Sequence, residues 1–328
     1  MTRSDEFTLI DRFLRPLAGE GAYGLVDDAA RIEPAQGFDL VVTSDTIASG
    51  VHFLADDPPD TIAKKALRVN LSDLVSKGAD PLGYMLNIAL GPEVDDSWLE
   101  AFSAGLAGDQ AQFGIRLLGG DTISLKGPSV ITVTAIGLVP AGRMVHRFSA
   151  EPGDVLYLSG SVGAATAGLD LLTNPGSPFQ ALDAGARRAC IDRYRVPEPR
   201  TGLAGAVRDH ARAAMDVSDG LVGDADKMVA ASGCTGSISV EDVPLAAGLD
   251  APGLADEIGR LITGGDDYEI LASVAPENER AYVDAAVASG IAVRRIGTIA
   301  AGSGPIEAVQ SGRPLALGDR RAYTHRNS

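Results

Sequence analysis

"SAEPGDVLYLSGSVG", residues 149–163, divides this chain in two. A Pro-Gly-Asp turn at 152–154 leads into an apolar run at 155–159, and a glycine turn then opens a helical pattern over 164–173. Turn, short strand, turn and helix mark the start of a new folding unit, with the boundary near residue 148. The 328 residues are long for one core and suit two domains, 1–148 and 149–328. Beyond the boundary, spacing predicts helices over 183–193, 202–212, 219–232, 253–260 and 276–289, and strands over 236–240, 268–274 and 293–299. Such alternation argues for α/β architecture. Before it, 5–17, 59–79 and 95–114 read as helices, the last two ended by Gly78 and Gly114. "FDLVVTSD" (38–45), "IRLLGGD" (115–121) and "SVITVTAIGLV" (129–139) read as strands.

Composition narrows the partners. The formal charge is -16, which disfavours nucleic acid and anionic membranes, because both attract basic patches. Phosphate ligands stay open, since bound divalent ions reverse the local sign of a carboxylate cluster. The two cysteines, Cys190 and Cys234, form no CxxC and no disulfide framework, which fits a reducing cytoplasm. "MTRSDEFTLIDRFLRPL" (1–17) is charged and helical in spacing, and is expected to be no signal peptide. The apolar stretch 129–142 is too short and too rich in Thr to span a bilayer.

One unit recurs: an apolar run, one or two small residues, then aspartate. It appears as "LVVTSD" (Asp45), "RLLGGD" (Asp121) and "LITGGDD" (Asp266, Asp267). "AAMDVSDG" (Asp216, Asp219) and "YGLVDDAA" (Asp27, Asp28) are variants. "VNLSD" places Asn70 and Asp73 at i and i+3 on one helix face. Aspartate past the carboxyl end of a strand lies where open α/β sheets bind ligands. Each piece alone also reads as a turn residue or an N-cap. Asp73 could simply pair with Lys77, Asp219 could cap the next helix, and Asp224 and Asp226 read as that helix's solvated face. Together, several aspartates from separate elements suit Mg²⁺, which takes one or two carboxylates plus water and phosphate.

Other chemistries lack their residues. The chain contains no GxxxxGK[ST], no protein-kinase signature, no GxSxG and no HExxH. "SGSVGAATAG" (159–168) is either a phosphate cradle at a helix N-terminus or a close-packed turn.

Taken in order, "DDAA", "TSDTIASGVHF", "KALRVNLSDLVSKGADP", "LLGGDT", "AMDVSDGL" and "GGDDYEIL" resemble the motifs of the thiamine-monophosphate kinase family, over nearly the whole chain. That family belongs to the superfamily of aminoimidazole ribonucleotide synthetase. The resemblance implies a two-domain α/β (α+β) PurM-like fold. Its N-terminal domain binds ATP and forms a homodimer by joining sheets into a barrel, and its C-terminal α/β domain closes the site. The implied reaction is ATP- and Mg²⁺-dependent phosphorylation of thiamine monophosphate, giving thiamine diphosphate and ADP by direct transfer. By motif match, Asp28, Thr43, Ser44, Asp45, Asp73, Asp121, Asp216 and Asp219 are metal ligands. Gly120, Arg147 and Ser218 contact ATP, and His52, Asp266 and Tyr323 contact thiamine monophosphate. Asp121, Asp219 and Arg147 serve the transfer itself.

Two departures stand out. The family has Gly where this chain has Val26, and a β-branched residue resists positive φ, so the loop is expected to take another path. "GGEDYE" in the family is "GGDDYE" here, so Asp266 is one methylene shorter. Competing readings are a sister ATP-using activity, a binding protein without turnover, and a Ca²⁺-stabilised structural protein. The selenium-handling relatives carry a reactive Cys or selenocysteine near the N-terminus, whereas the first Cys here is 190. The hydrogenase-maturation relative ends in a functional cysteine, whereas this chain ends "YTHRNS". The purine-biosynthesis relative lacks this form of "TSDTIASGVHF". A Ca²⁺ loop would gather its ligands in one segment, and "GDADKM" is too short.

Overall fold

The computed structural model describes residues 3–317 and 321–324, so residues 1–2, 318–320 and 325–328 lie outside it. The chain divides into Met1–Leu74 with Ala79–Gly142, and Val75–Gly78 with Arg143–Ser328.

In the first unit, α1 (Glu6–Leu9) passes into a π turn and then a 3-10 turn at Arg15–Leu17, where Pro16 removes an amide donor. Then come β1 (Phe38–Ala48), α2 (Pro59–Ser76), β2 (Asp80–Leu90), α3 (Asp96–Phe113), β3 (Arg116–Ser124) and β4 (Val130–Pro140). The sheet order is β1-β4-β2-β3, antiparallel except for β2 against β3. One face packs under α2 and α3, with Leu67, Leu71, Phe102 and Leu106 against Leu86, Ile88, Ile131 and Val133. A buried fork joins the two helices: Arg68 donates to both oxygens of Asp109, each at 2.8 Å. The other face carries Phe38, Leu40 and Val42, which are 41%, 42% and 61% exposed.

The second unit contains β5 (Val155–Ser159), α4 (Ala164–Thr173), α5 (Ala184–Arg195), α6 (Ala204–His210), β6 (Ala213–Asp216), α7 (Leu221–Ser232) and β7 (Thr235–Ser239). It continues with α8 (Ile258–Thr263), β8 (Ile270–Val274), α9 (Glu279–Ala288), β9 (Val293–Ala300), β10 (Glu307–Gln310) and β11 (Arg313–Pro314). The seven strands run β11-β10-β7-β9-β5-β8-β6, all antiparallel except β10 against β7. Alternation along β5 serves two cores. Leu156 and Leu158 meet the α7 side with Val222 and Met228, while Val155 and Tyr157 meet the α6 and α9 side with Val207 and Tyr282.

Several expectations change here. The alternating pattern folds into mixed, mostly antiparallel sheets, so the rule for carboxyl ends of parallel strands does not place the aspartates. Asp45 and Asp121 lie inside β1 and β3. "LIT" before "GGDD" is the end of α8, so Asp266 and Asp267 follow a helix and precede β8. β2 occupies a stretch where no element was expected.

Candidate active site

In the first unit two groupings form. Along β1, alternate side chains face opposite ways. Thr43 donates to Asp73 Oδ2 at 2.5 Å, and the Asp45 amide donates to Asn70 Oδ1 at 3.0 Å. Asn70 is itself held by the Ala66 carbonyl at 3.0 Å. The i, i+3 pair on α2 therefore meets the Thr43 and Asp45 positions of β1. Ser44 belongs to the other face, where its hydroxyl lies 2.9 Å from Thr134 Oγ1 on β4. His52 closes the turn after β1: its Nδ1 accepts the Ala48 amide at 3.1 Å, which leaves Nε2 to carry the proton.

The second grouping lines a cleft of about 210 Å³, bordered by Asp27, Asp28, Gly119, Gly120, Asp121 and Leu25 among others. Gly120 has φ 151, and a Cβ there would overlap the Leu86 carbonyl oxygen of β2. The strand thus brings bare backbone to the cleft edge. Val26 is not strained: its φ is -109, and the left-handed residues come earlier, at Tyr23 and Leu25. Val26 therefore needs no glycine-like torsion at its own position.

In the second unit the chain leaves β6 at Asp216, which is 6% exposed, and passes through Val217–Gly220 into α7. This segment is a hub. The Val217 carbonyl accepts from the Tyr268 amide, the Ser218 carbonyl from the Asp266 amide, and the Asp219 carbonyl from the Tyr323 amide, each at 2.8 Å. Ser218, Asp219, Asp266 and Tyr323, spread over more than a hundred residues of sequence, are thereby tied to one loop. Asp266 and Tyr268 have φ of 70 and 52, and the Tyr268 hydroxyl donates to Asp266 Oδ1 at 3.1 Å. Among the described residues, five non-glycine positions have positive φ: Tyr23 and Leu25 flank the first unit's cleft, and Asp266 and Tyr268 flank the hub of the second. Torsional strain of this kind marks sites whose geometry is over-determined.

Arg147 is exposed in the loop between β4 and β5, its carbonyl accepting from Ser232 at 3.4 Å. The Gly turn before α4 is no open phosphate cradle. The Gly163 amide donates to Asp267 Oδ1 at 2.9 Å, and the Ser161 amide to Glu269 Oε1 at 3.3 Å. The protein's own carboxylates fill that place.

Three buried carboxylates differ from the sequence reading, which placed Asp224 on a solvated face, gave Asp267 no role of its own and did not single out Glu269. Asp224 is fully buried, not on a solvated face, and accepts amides from the loop ahead of it. An acid in the first turn of a helix was the available signal. Glu269 is buried and gripped by Arg200 through two bonds, at 2.6 and 2.5 Å. Asp267 is buried, with one oxygen lacking a hydrogen-bond partner, and burial holds its carboxyl well above the usual range. The recurring aspartate unit marked Asp267 but not its burial, and no spacing rule announces Glu269.

Among the described residues, no group of three or more His, Cys, Asp or Glu side chains is arranged to hold a metal. The donors present are nevertheless hard oxygens, with Asp28 and Asp121 lining one cleft and Asp73 beside the Thr43 hydroxyl. That suits Mg²⁺, which fills most of its octahedron with water and phosphate. No helix of the described residues is long and apolar enough to cross a membrane.

Residues 26–139 match the family model described as AIR synthase related protein, N-terminal domain, and residues 151–309 match the corresponding C-terminal domain. Two mixed α/β units with aspartates on loops and strand interiors are thus those of an AIR synthase related protein. A thiamine-monophosphate kinase from Caulobacter vibrioides is 43% identical over 317 residues, 94% of this chain and 88% of its own length. The crystal structure of thiamine-monophosphate kinase from Stenotrophomonas maltophilia K279a superimposes with a TM-score of 0.82 at 35% identity, covering 96% of this chain and 99% of that one. A further structure, described as AaThiL complexed with AMPPCP and TMP, gives a TM-score of 0.76 at 27% identity over 98% of this chain and 97% of that one. The chain belongs to the thiamine-monophosphate kinase family.

Proposed function

We propose that this protein transfers the γ-phosphoryl group of ATP directly to the phosphate of thiamine monophosphate, yielding thiamine diphosphate and ADP. What carries the reading is the span of the likeness: 43% identity over 94% of the chain takes in both the cleft of the first unit and the hub of the second. A relative solved with AMPPCP and TMP supports the same pair of substrates.

The chemistry asks little of a general base. The acceptor is a phosphate oxygen already largely ionised at neutral pH, its second pKa being about 6. Phosphoryl transfer then depends on positioning and charge neutralisation. Asp28, Asp121, Asp45, Asp73 and Thr43 in the first unit, with Ser44 from the opposite face of β1, are suited to hold Mg²⁺. Asp216 and Asp219 are suited to it in the second. When bound, Mg²⁺ would neutralise the phosphate oxygens and polarise the transferred group. Gly120 presents bare backbone beside the nucleotide cleft, and Ser218 offers a hydroxyl from the hub. Exposed Arg147 can fork two phosphate oxygens. Asp266 and the Tyr323 ring suit the cationic thiazolium of thiamine, and His52 offers Nε2–H as a donor. The uncovered face of the four-stranded sheet supports a homodimer closed as a barrel, and the two buried free cysteines accord with a cytoplasmic setting.

The test is an end-point assay with ATP, Mg²⁺ and thiamine monophosphate, the thiamine phosphates being separated by chromatography. Thiamine diphosphate is expected only with the monophosphate and Mg²⁺ both present. Product from free thiamine, or none from a protein that still binds ATP, would reject this reaction.

A further inference from the structure

One buried carboxylate in the second unit has no part in the proposed contacts with nucleotide, metal or substrate, yet it holds the loop that makes them. Asp224 Oδ2 accepts three successive amides, from Ser218 at 3.0 Å, Asp219 at 2.9 Å and Gly220 at 3.2 Å. Three N–H groups converging on one oxygen fix the backbone torsions of the residues that carry them. The carbonyls of Ser218 and Asp219 are meanwhile taken by Asp266 and Tyr323. The side chains of the loop are therefore aimed by its backbone, and the backbone is aimed by Asp224.

The charges add a second element. Lys227, one turn further along α7, donates to Asp224 Oδ1 at 2.7 Å and also to Asp219 Oδ2. Two aspartates thus share one lysine. If Asp224 were neutral, Lys227 would fall to Asp219 alone, and an ammonium on Asp219 competes with any divalent ion there.

We propose that Asp224 is a positioning residue that acts through Asp219: it orients the 218–220 loop and draws Lys227 away from full pairing with Asp219, so that Asp219 keeps charge for a divalent cation. This rests on the reading of Asp219 as a metal ligand. Lys227 is the opposing half of the device, an internal cation that a divalent ion must outbid.

The two substitutions have opposite expected signs, which a merely structural role would not produce. Mn²⁺ is titrated into the full-length protein with AMPPCP present, and free Mn²⁺ is followed by its EPR signal. Asp224→Asn is expected to weaken Mn²⁺ binding by about tenfold, the scale of losing a residue that orients a metal ligand. Lys227→Met leaves buried Asp224 without its cation, so its fold is first checked by near-UV circular dichroism; in the folded variant Mn²⁺ binding is expected to tighten severalfold. Unchanged or weakened binding in Lys227→Met overturns the proposal, whether or not Asp224→Asn folds. Wild-type protein that binds AMPPCP but no Mn²⁺ would instead remove the metal-ligand reading beneath it, and the proposal with it.

Discussion

Asp73 and Asp267 are both aspartates near small residues, and their surroundings separate them. Asp73 is half-buried, with a hydroxyl donor and a neighbouring amide pair, so its carboxylate is aimed without being sealed. Asp73→Asn is expected to lower kcat on the order of a hundredfold or more while leaving near-UV circular dichroism unchanged. Wild-type turnover in that variant would remove Asp73 from the metal site. Asp267 is sealed, and burial opposes its ionisation, with the Gly163 amide pulling the other way. The folded state therefore binds a proton that the unfolded state releases near the usual value of 3.8. Stability from this group is present at low pH and is lost as pH rises from that value through the raised folded pKa. Asp267→Asn keeps an acceptor for Gly163 but lacks the titration. Its Tm relative to wild type is expected to climb between acidic and mildly alkaline pH, and a constant difference would show that Asp267 ionises freely in the folded protein.

At the level of strands and helices, the arrangement depends on backbones that approach closely. β2 and β3 run parallel with Leu86 beside Gly120, and the carbonyl of Leu86 occupies the place a Cβ would need. Gly120→Ala should cost roughly 2–4 kcal/mol, combining overlap with an unfavourable torsion. Gly114, the left-handed C-cap of α3 with φ 69, has open space around it, so Gly114→Ala should cost only about 1 kcal/mol. Urea unfolding of the two variants checks the ordering, and equal losses would mean that the β2–β3 register relaxes around the added methyl.

For the whole protein, the open question is what covers the outer face of the four-stranded sheet. Phe38, Leu40 and Val42 pair across β1 and β4 with Pro140, Leu138 and Ile136, so an apolar strip runs along one edge. A strip of this kind on an edge strand is a liability unless it is paired. If the proposed homodimer covers it, Val42→Asp should convert a species of twice 33.8 kDa into a monomer, as read by light scattering. A wild-type monomer, or a dimer indifferent to Val42→Asp, would place the interface elsewhere or nowhere.

Much of this was written in local pattern. The helices at 59–79, 95–114 and 164–173 and the strand at 155–159 follow from periodicity and from glycine and proline punctuation, which act over a few residues. The aspartate-rich segments were visible for the same reason, because each is a short run of residue types. Strand direction was not: alternation of helices and strands is compatible with parallel or antiparallel pairing, and only long-range hydrogen bonding chose the latter. Nor could local pattern tell a surface carboxylate from a buried one. Asp224 and Asp226 sit two residues apart in a polar run, yet Asp224 is sealed beneath the Val217–Gly220 loop while Asp226 grips Arg321. Burial and the meeting of Ser218, Asp266 and Tyr323 depend on packing between segments far apart in the chain, and no short-range rule carries that information.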